Sequence, residues 1–147
     1  MRYRRLGTSG LEVSVIAFGA WQIGDSRYWG AAEDADGIRA VHAAIDAGVN
    51  LFDTAESYGQ GESERALGKA LGARRGQVFV ATKVSAEHCR PGGFRKACEG
   101  SLERLGTDHI DLYQIHWPFH DVPFAQAWEE LEALRSEEEI PVQPRSR

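Results

Sequence analysis

Short apolar runs alternate along the chain with longer segments in which apolar residues recur at helical spacing. The runs are rich in β-branched and aromatic residues and cover residues 13–19, 49–52, 77–82 and 109–115. Runs of this kind, separated by helical segments, are typical of repeated βα units. The pattern therefore predicts four βα units with short, buried parallel strands.

The segments between and after these runs carry the end signals of helices. Asp34 is suited to cap the first helix and Gly48 to end it, Gly106 to end the third, and Pro123 to lie in the first turn of the fourth. The predicted helices cover residues 34–48, 62–71, 94–106 and about 123–137. The residues expected to face the core are Ile38, Val41 and Ile45 in the first helix, Leu67 and Leu71 in the second, Phe94, Ala97, Cys98, Leu102 and Leu105 in the third, and Ala127, Leu131 and Leu134 in the fourth.

The length of the repeat indicates the architecture. The strands begin about every 30 residues, which matches a (β/α)₈ barrel of about 250 residues divided by eight. A doubly wound nucleotide-binding sheet would place G-x-G-x-x-G after the first strand, but residues 18–24 read FGAWQIG. Residues 2–6 and 11–15 flank a GTSG turn and predict a hairpin that plugs one end of a barrel. The expected fold class is α/β, a partial (β/α)₈ TIM barrel with an N-terminal hairpin and about four βα units.

Composition and charge narrow the classes of partner. The chain has 17 Lys and Arg against 22 Asp and Glu, a net charge of -5, which argues against binding to nucleic acid or to an anionic membrane. No apolar run approaches the roughly 20 residues that span a bilayer, and no signal-like segment follows the N-terminus. We therefore expect a cytoplasmic protein. Cys89 and Cys98 lack metal-binding or redox spacing and are expected to be reduced thiols.

Three successive predicted strands are followed by ionisable side chains. Asp53, Lys83 and His116 come after the second, third and fourth runs, and Tyr58 lies in the loop that follows Asp53. In a parallel barrel the active site lies at the carboxyl ends of the strands, so these four residues are expected to converge. A lysine at the tip of a buried strand needs a partner, and Asp53 is suited to that role. The alternative is a plain ion pair with a structural histidine nearby.

The chemistry of this set is that of proton donation to a carbonyl oxygen. A tyrosine with its ordinary pKa near 10 donates poorly at neutral pH, but an adjacent ammonium favours the phenolate. Tyr58 is therefore a candidate general acid, and Tyr58 and His116 are candidate donors to an oxygen that gains charge as hydride arrives at carbon.

Two other kinds of site are disfavoured. His116 and His120 are four residues apart, but Pro118 breaks the helix that would align them, so no metal site is predicted. The segment YGQGESE at residues 58–64 has the glycines of a phosphate loop, yet Glu62 and Glu64 would repel a phosphate. We expect a flexible loop there, with both carboxylates complementing the N-terminus of the following helix.

Two long segments resemble the aldo-keto reductase family. They are GVNLFDTAESYGQGESERALG at residues 48–68 and LYQIHWP at residues 112–118. The resemblance extends over residues 1–138. It implies a (β/α)₈ barrel, a bound NADP(H) without a Rossmann motif, and reversible reduction of a small carbonyl substrate, an aldehyde or ketone, to the alcohol.

The resemblance also implies roles for individual residues. Tyr58 matches the proton donor, Lys83 and Asp53 match the pair that tunes it, and His116 matches the residue that orients the substrate. These four are the expected catalytic residues.

Further residues match binding positions of the family. Gly19 and Asp53 match positions beside the nicotinamide and ribose of the cofactor. Trp21 and Trp117 match residues that line the substrate pocket, where His116 also contacts the substrate.

The end of the chain departs from the family pattern. Pro141 and Pro144 remove backbone donors, so residues 139–147 do not form a central fifth strand and are expected to be a divergent, loose tail. Residues 1–138 are then expected to be the N-terminal half of the barrel, in a truncated chain of weak or no activity. A non-catalytic, reductase-like regulatory subunit and a half-barrel that works only after self-association through its exposed edges remain alternatives. Substrate identity and the choice between NADPH and NADH stay open.

Overall fold

The chain opens with a hairpin that stands apart from the main sheet. In the computed structural model, which describes residues 1–30, 34–117 and 121–136, strand β1 (Tyr3–Arg5) pairs antiparallel with β2 (Glu12–Ser14). Leu11 and Val13 are buried. The Tyr3 hydroxyl donates to the Gly48 carbonyl oxygen at 2.9 Å, just before the second strand of the main sheet. The hairpin thus contacts the amino-terminal end of that sheet, as the barrel-plug interpretation predicts.

Four parallel strands form the main sheet, in the order of the sequence. They are β3 (Phe18–Gly19), β4 (Leu51–Asp53), β5 (Phe79–Val84) and β6 (Leu112–Ile115). The register pairs Gly19 with Asp53, Asp53 with Ala81, and Lys83 with Gln114. Successive parallel neighbours joined through helices are the βα units of a barrel, so the predicted partial (β/α)₈ fold is confirmed.

Six α-helices are described. Two short ones, α1 (Trp21–Gly24) and α2 (Ser26–Trp29), follow β3, and the four longer ones are α3 (Asp34–Asp46), α4 (Glu62–Leu71), α5 (Gly93–Leu105) and α6 (Phe124–Ser136). Short 3₁₀ turns occupy Tyr58–Gly61, Gly72–Gln77 and Ala86–His88. No helix within the described ranges is long and apolar enough to cross a membrane.

The four longer helices match the predicted segments closely. Helix α4 has the predicted bounds, and the positive φ of Gly48 (+88°) and Gly106 (+61°) follows the ends of α3 and α5. Asp34 is the first described residue of α3, and its Oδ2 accepts from Lys69 Nζ at 2.6 Å. Residue 137, the tail at 139–147, Pro118 and His120 lie outside the described residues.

The core lies between the main sheet and the longer helices. Alternate residues of β4 and β5 are fully buried beneath the helices, among them Phe52, Val80 and Val84. Because side chains of a strand alternate between its faces, Asp53 and Lys83 lie on the opposite face. That face carries the site described below.

The first predicted strand is wrong as a single element. Residues 13–14 end the hairpin and residues 18–19 begin the main sheet, with Val15 and Ile16 exposed between them. The cause is Asn50, whose Oδ1 accepts from the Ser14 amide at 2.6 Å and whose Nδ2 donates to the Glu12 carbonyl oxygen at 2.9 Å. A side chain in the next βα unit thus fixes the hairpin end, which the local pattern cannot reveal.

The predicted strand ends also lie too early. Asp53 is the last residue of β4 and Lys83 the next to last of β5, because ladder pairing continues through both residues. Only His116 directly follows its strand.

Candidate functional site

Lys83 is paired at the carboxyl end of the sheet, as predicted. Its Nζ donates to Asp53 Oδ1 at 2.7 Å and to the Thr54 carbonyl oxygen at 2.8 Å. The Lys83 side chain is 15% exposed and that of Asp53 is 37% exposed. A largely buried ammonium with a carboxylate and a carbonyl acceptor is satisfied and has a fixed position.

Tyr58 lies over this ammonium and against two aromatic rings. Lys83 Nζ is 5.1 Å from the centroid of the Tyr58 ring. The His116 ring meets Tyr58 edge to face at 5.4 Å and 83°, and the Trp21 ring stacks on it at 5.3 Å and 23°. The structure therefore brings Asp53, Tyr58, Lys83 and His116 together, as the spacing along the chain predicts.

His116 is held at the end of β6 as a neutral base. Its amide donates to the Val84 carbonyl oxygen at 2.9 Å, and its Nδ1 lies 3.2 Å from the Ser57 hydroxyl. Partial burial, followed by the nearby Lys83 ammonium, lowers the pKa of His116 below its ordinary value. A neutral imidazole has one N–H donor, which suits it to hydrogen-bond a carbonyl oxygen without carrying charge.

The two predicted pocket tryptophans flank the site. Trp21 begins α1 and stacks on Tyr58, whereas Trp117 stacks on His116 at 5.5 Å and 19° and is 67% exposed. Gly19 pairs with Asp53 on the neighbouring strand, and a Cβ added at Gly19 would meet nothing within 4 Å. The face of the sheet beside Asp53 is therefore open at Gly19, with no atom close enough to contact an added Cβ.

Sequence reasoning missed Glu56, which ties the Tyr58 loop to the end of β5. Its buried carboxylate accepts from the Ser85 amide at 2.5 Å and lies 2.9 Å from His88 Nδ1. The only local signal is an acidic residue two positions before Tyr58. The contact between His88 and Glu56 is structural.

A buried charge network supports the turn that follows Tyr58. Glu64 is fully buried, and its two oxygens accept from Arg104 Nε and from the Thr82 hydroxyl, each at 2.6 Å. A Cβ added at Gly61 would lie 2.4 Å from Arg104 Cδ. Residues 58–61 therefore form a 3₁₀ turn against which Arg104 packs, rather than the expected flexible loop, whereas Glu62 and Glu64 lie in the first turn of α4, as predicted.

The described residues offer no grouping of three or more His, Cys, Asp or Glu side chains suited to a metal ion. Cys89 and Cys98 are buried free thiols, and burial raises the pKa of Cys98 to about 12. The site thus presents a tyrosine hydroxyl and an imidazole beside a fixed ammonium, a set that can donate a proton to an oxygen that gains negative charge.

The chain is similar to proteins of one family, both in sequence and in fold. The family model "Aldo/keto reductase family" matches residues 15–139. Aldo-keto reductase YhdN of Bacillus subtilis is 40% identical over 144 residues, covering 91% of this chain and 43% of the relative. A Klebsiella pneumoniae aldo-keto reductase crystallised with NADPH superposes with a TM-score of 0.83 at 33% identity, over 95% of this chain and 48% of the other. The thermostable aldo-keto reductase Tm1743, in complex with the inhibitor epalrestat, gives a TM-score of 0.85 at 33% identity, over 95% and 52%.

Proposed function

Because the chain belongs to the aldo/keto reductase family, we propose that it carries the proton-donating residues of an NADP(H)-dependent reductase of aldehydes and ketones. One observation carries the proposal: Lys83 Nζ, held by Asp53, lies 5.1 Å from the Tyr58 ring, which in turn meets His116. The arrangement brings a fixed positive charge and an imidazole to the ring of the proposed proton donor.

Each residue of the set has a distinct role in the proposal. Tyr58 donates its proton to the carbonyl oxygen, and the Lys83 ammonium stabilises the phenolate that remains. Asp53 fixes Lys83 at 2.7 Å. Neutral His116 donates a hydrogen bond to the same oxygen and orients the substrate. Trp21 and Trp117 flank the substrate on the sides of Tyr58 and His116 respectively.

The residues present fit the nicotinamide end of the cofactor. The open floor at Gly19, next to Asp53, leaves room for a flat ring close to Tyr58 and Lys83. When bound, NADPH supplies the hydride that reduces the carbonyl carbon. Two solved structures support this choice, since they show Klebsiella pneumoniae aldo-keto reductases crystallised with NADP and with NADPH.

The proposed activity belongs to a completed barrel. The chain spans about half the length, or less, of the relatives it matches. Among the described strands, β3 and β6 each pair on one side only. We propose that residues 1–138 form the N-terminal half of the barrel and that further strands along these two edges complete the site, which makes the chain alone weakly active or inactive.

The test is NADPH-dependent reduction of a simple aldehyde. It is measured for the full chain alone and for the full chain co-expressed with the part of Bacillus subtilis YhdN that follows the matched region. We expect turnover by the co-purified complex and little or none by the chain alone. A complex that binds NADPH, detected by quenching of its fluorescence, without reducing any of a panel of aldehydes and ketones would contradict the enzyme proposal and favour a non-catalytic regulatory subunit.

A further inference from the structure

Asp25, between α1 and α2, joins two parts of the chain that meet beside Tyr58. Its side chain is 2% exposed, and its Oδ2 accepts from Trp21 Nε1 and from the Gly59 amide, both at 3.0 Å. Arg27 Nε donates to the other oxygen, Oδ1, at 3.0 Å. One buried oxygen therefore holds both the indole that stacks on Tyr58 and the residue that follows Tyr58 in the chain.

The backbone after Tyr58 has an unfavourable conformation that needs such support. Gly59, Gln60 and Gly61 have φ values of 60°, 56° and 91°, all in the left-handed region. Among the described residues, Gln60 is the only one other than glycine that has a positive φ. A side-chain-bearing residue stays in this region only when surrounding contacts hold it there.

The two segments also pack backbone to backbone. A Cβ added at Gly59 would lie 2.3 Å from the Gly24 carbonyl oxygen, and a Cβ added at Gly24 would lie 2.2 Å from the backbone of Ser63. The Ser63 hydroxyl donates to the Ala20 carbonyl oxygen at 2.7 Å. The α1 segment is thus fixed on the turn after Tyr58, and Asp25 lies at the contact.

We propose that Asp25 is a positioning residue for Tyr58. Its carboxylate fixes the indole of Trp21 on one face of the tyrosine ring, and it fixes the amide of Gly59, the peptide group that directly follows Tyr58. This inference rests on the proposed function for its catalytic consequence. The contacts of Asp25 with Trp21 and Gly59 do not depend on that function. Asp25 lies outside the two segments, residues 48–68 and 112–118, that carry the family resemblance.

The contacts of Asp25 with Trp21 and Gly59 require an acceptor oxygen. Every contact of Asp25 is with a donor, and the hydrogen bond from Arg27, followed by that from Trp21, lowers the pKa of Asp25 well below its usual range. Asparagine at this position retains one oxygen for Trp21 and Gly59, but it loses the charge and turns an amide donor toward Arg27, whose Nε and Nη2 donate to the two oxygens of Asp25. Asp25→Ala, Asp25→Asn and Arg27→Ala therefore form a graded series in which only the first removes the shared acceptor.

The primary experiment is solution NMR of the complex described above, in which the full chain is isotope-labelled and the YhdN segment is not. The Trp21 indole N–H is assigned with Trp21→Phe, and its hydrogen exchange and that of the Gly59 amide are measured in each variant. We expect both groups to be protected in the wild type, to exchange about tenfold faster or more in Asp25→Ala, and to remain close to wild type in Asp25→Asn and Arg27→Ala. Two results overturn the inference. In one, the Trp21 indole N–H and the Gly59 amide of the wild type exchange as fast as solvent-exposed N–H groups; in the other, both groups stay as protected in Asp25→Ala as in the wild type.

The second readout is kinetic and uses the aldehyde-reducing complex described above. Because misplacement of a reacting group by about 1 Å can cost on the order of 10²-fold, Asp25→Ala is expected to lower kcat by about 10- to 100-fold with a smaller change in KM, and Asp25→Asn to restore most of the rate. Unchanged kcat in Asp25→Ala, where Tyr58→Phe abolishes turnover, overturns the positioning role and leaves the proposed function intact. Faster exchange in Asp25→Ala, combined with full activity of Tyr58→Phe, shows instead that the proposed function is wrong.

Discussion

Thr82→Val tests whether the buried carboxylate of Glu64, which pairs with Arg104, supports the turn after Tyr58. The Thr82 hydroxyl donates to Glu64 Oε1 at 2.6 Å, and both side chains are fully buried. Valine has nearly the same shape, so the substitution removes the hydrogen bond without leaving a cavity. Arg104, which donates to the other oxygen of Glu64 at 2.6 Å, remains in place.

The magnitude follows from the type of hydrogen bond. A bond to a charged group contributes about 1.5–3 kcal/mol, and its loss leaves one buried oxygen of Glu64 unsatisfied. We therefore expect Thr82→Val to lower the free energy of unfolding by about 2 kcal/mol, which is roughly a 30-fold change in the folding equilibrium.

Thr54→Val is the matched control. Thr54 is also fully buried, but its hydroxyl pairs with the neutral Ser63 hydroxyl at 2.9 Å, so about 1 kcal/mol is expected. Urea unfolding of the complex between the full chain and the YhdN segment, at one protein concentration, measures both variants, with the shift read from the midpoint at an unchanged m-value. A loss in Thr82→Val equal to or smaller than that in Thr54→Val would refute the assignment of the Thr82 hydroxyl as a donor to the carboxylate that pairs with Arg104.

Three further predictions concern the site and the sheet edges. Lys83→Met should lower the rate of carbonyl reduction and move the alkaline limb of the pH–rate profile to higher pH, and Asp53→Asn should act more mildly; an unchanged profile in Lys83→Met would leave Lys83 as a structural ion-pair member. The His116 ring should titrate below pH 6.5 by NMR, and because the folded state then binds fewer protons than the unfolded state, this group should reduce stability as the pH falls below about 6.5; a midpoint at or above 6.5 would contradict its lowered pKa. The full chain alone should self-associate or aggregate through the outer strands β3 and β6, whereas a sharp thermal transition at monomeric mass by light scattering would rule that out.

The convergence of the four catalytic candidates could be predicted from the sequence because local order is enough to define it. Parallel strands place their carboxyl ends at one edge, so residues at the ends of successive apolar runs must meet there. Asp53, Lys83 and His116 follow that rule, and Tyr58 is carried by the loop next to Asp53. The four longer helices could also be predicted from the sequence, because each buries a stripe of apolar residues at helical spacing.

The supporting contacts could not be predicted, because they join residues far apart in sequence without a periodic signal. Asp25 reaches Gly59 across 34 positions, and Glu64 reaches Arg104 across 40. No pattern in the sequence singles out Asp25, and Glu64 is predicted there only as a carboxylate at the N-terminus of a helix. Their burial depends on tertiary packing, as does the break that Asn50 imposes on the first predicted strand.

The most direct test of the proposed function is Tyr58→Phe in the aldehyde-reducing complex. The substitution removes one hydroxyl and keeps the ring that stacks on Trp21 at 5.3 Å, so the fold and NADPH binding should be unchanged. General acid catalysis contributes about 10²- to 10⁴-fold, and we predict a loss of kcat in that range at an unaltered NADPH dissociation constant. A variant that binds NADPH normally and retains kcat within about tenfold of the wild type would contradict the assignment of Tyr58 as the proton donor.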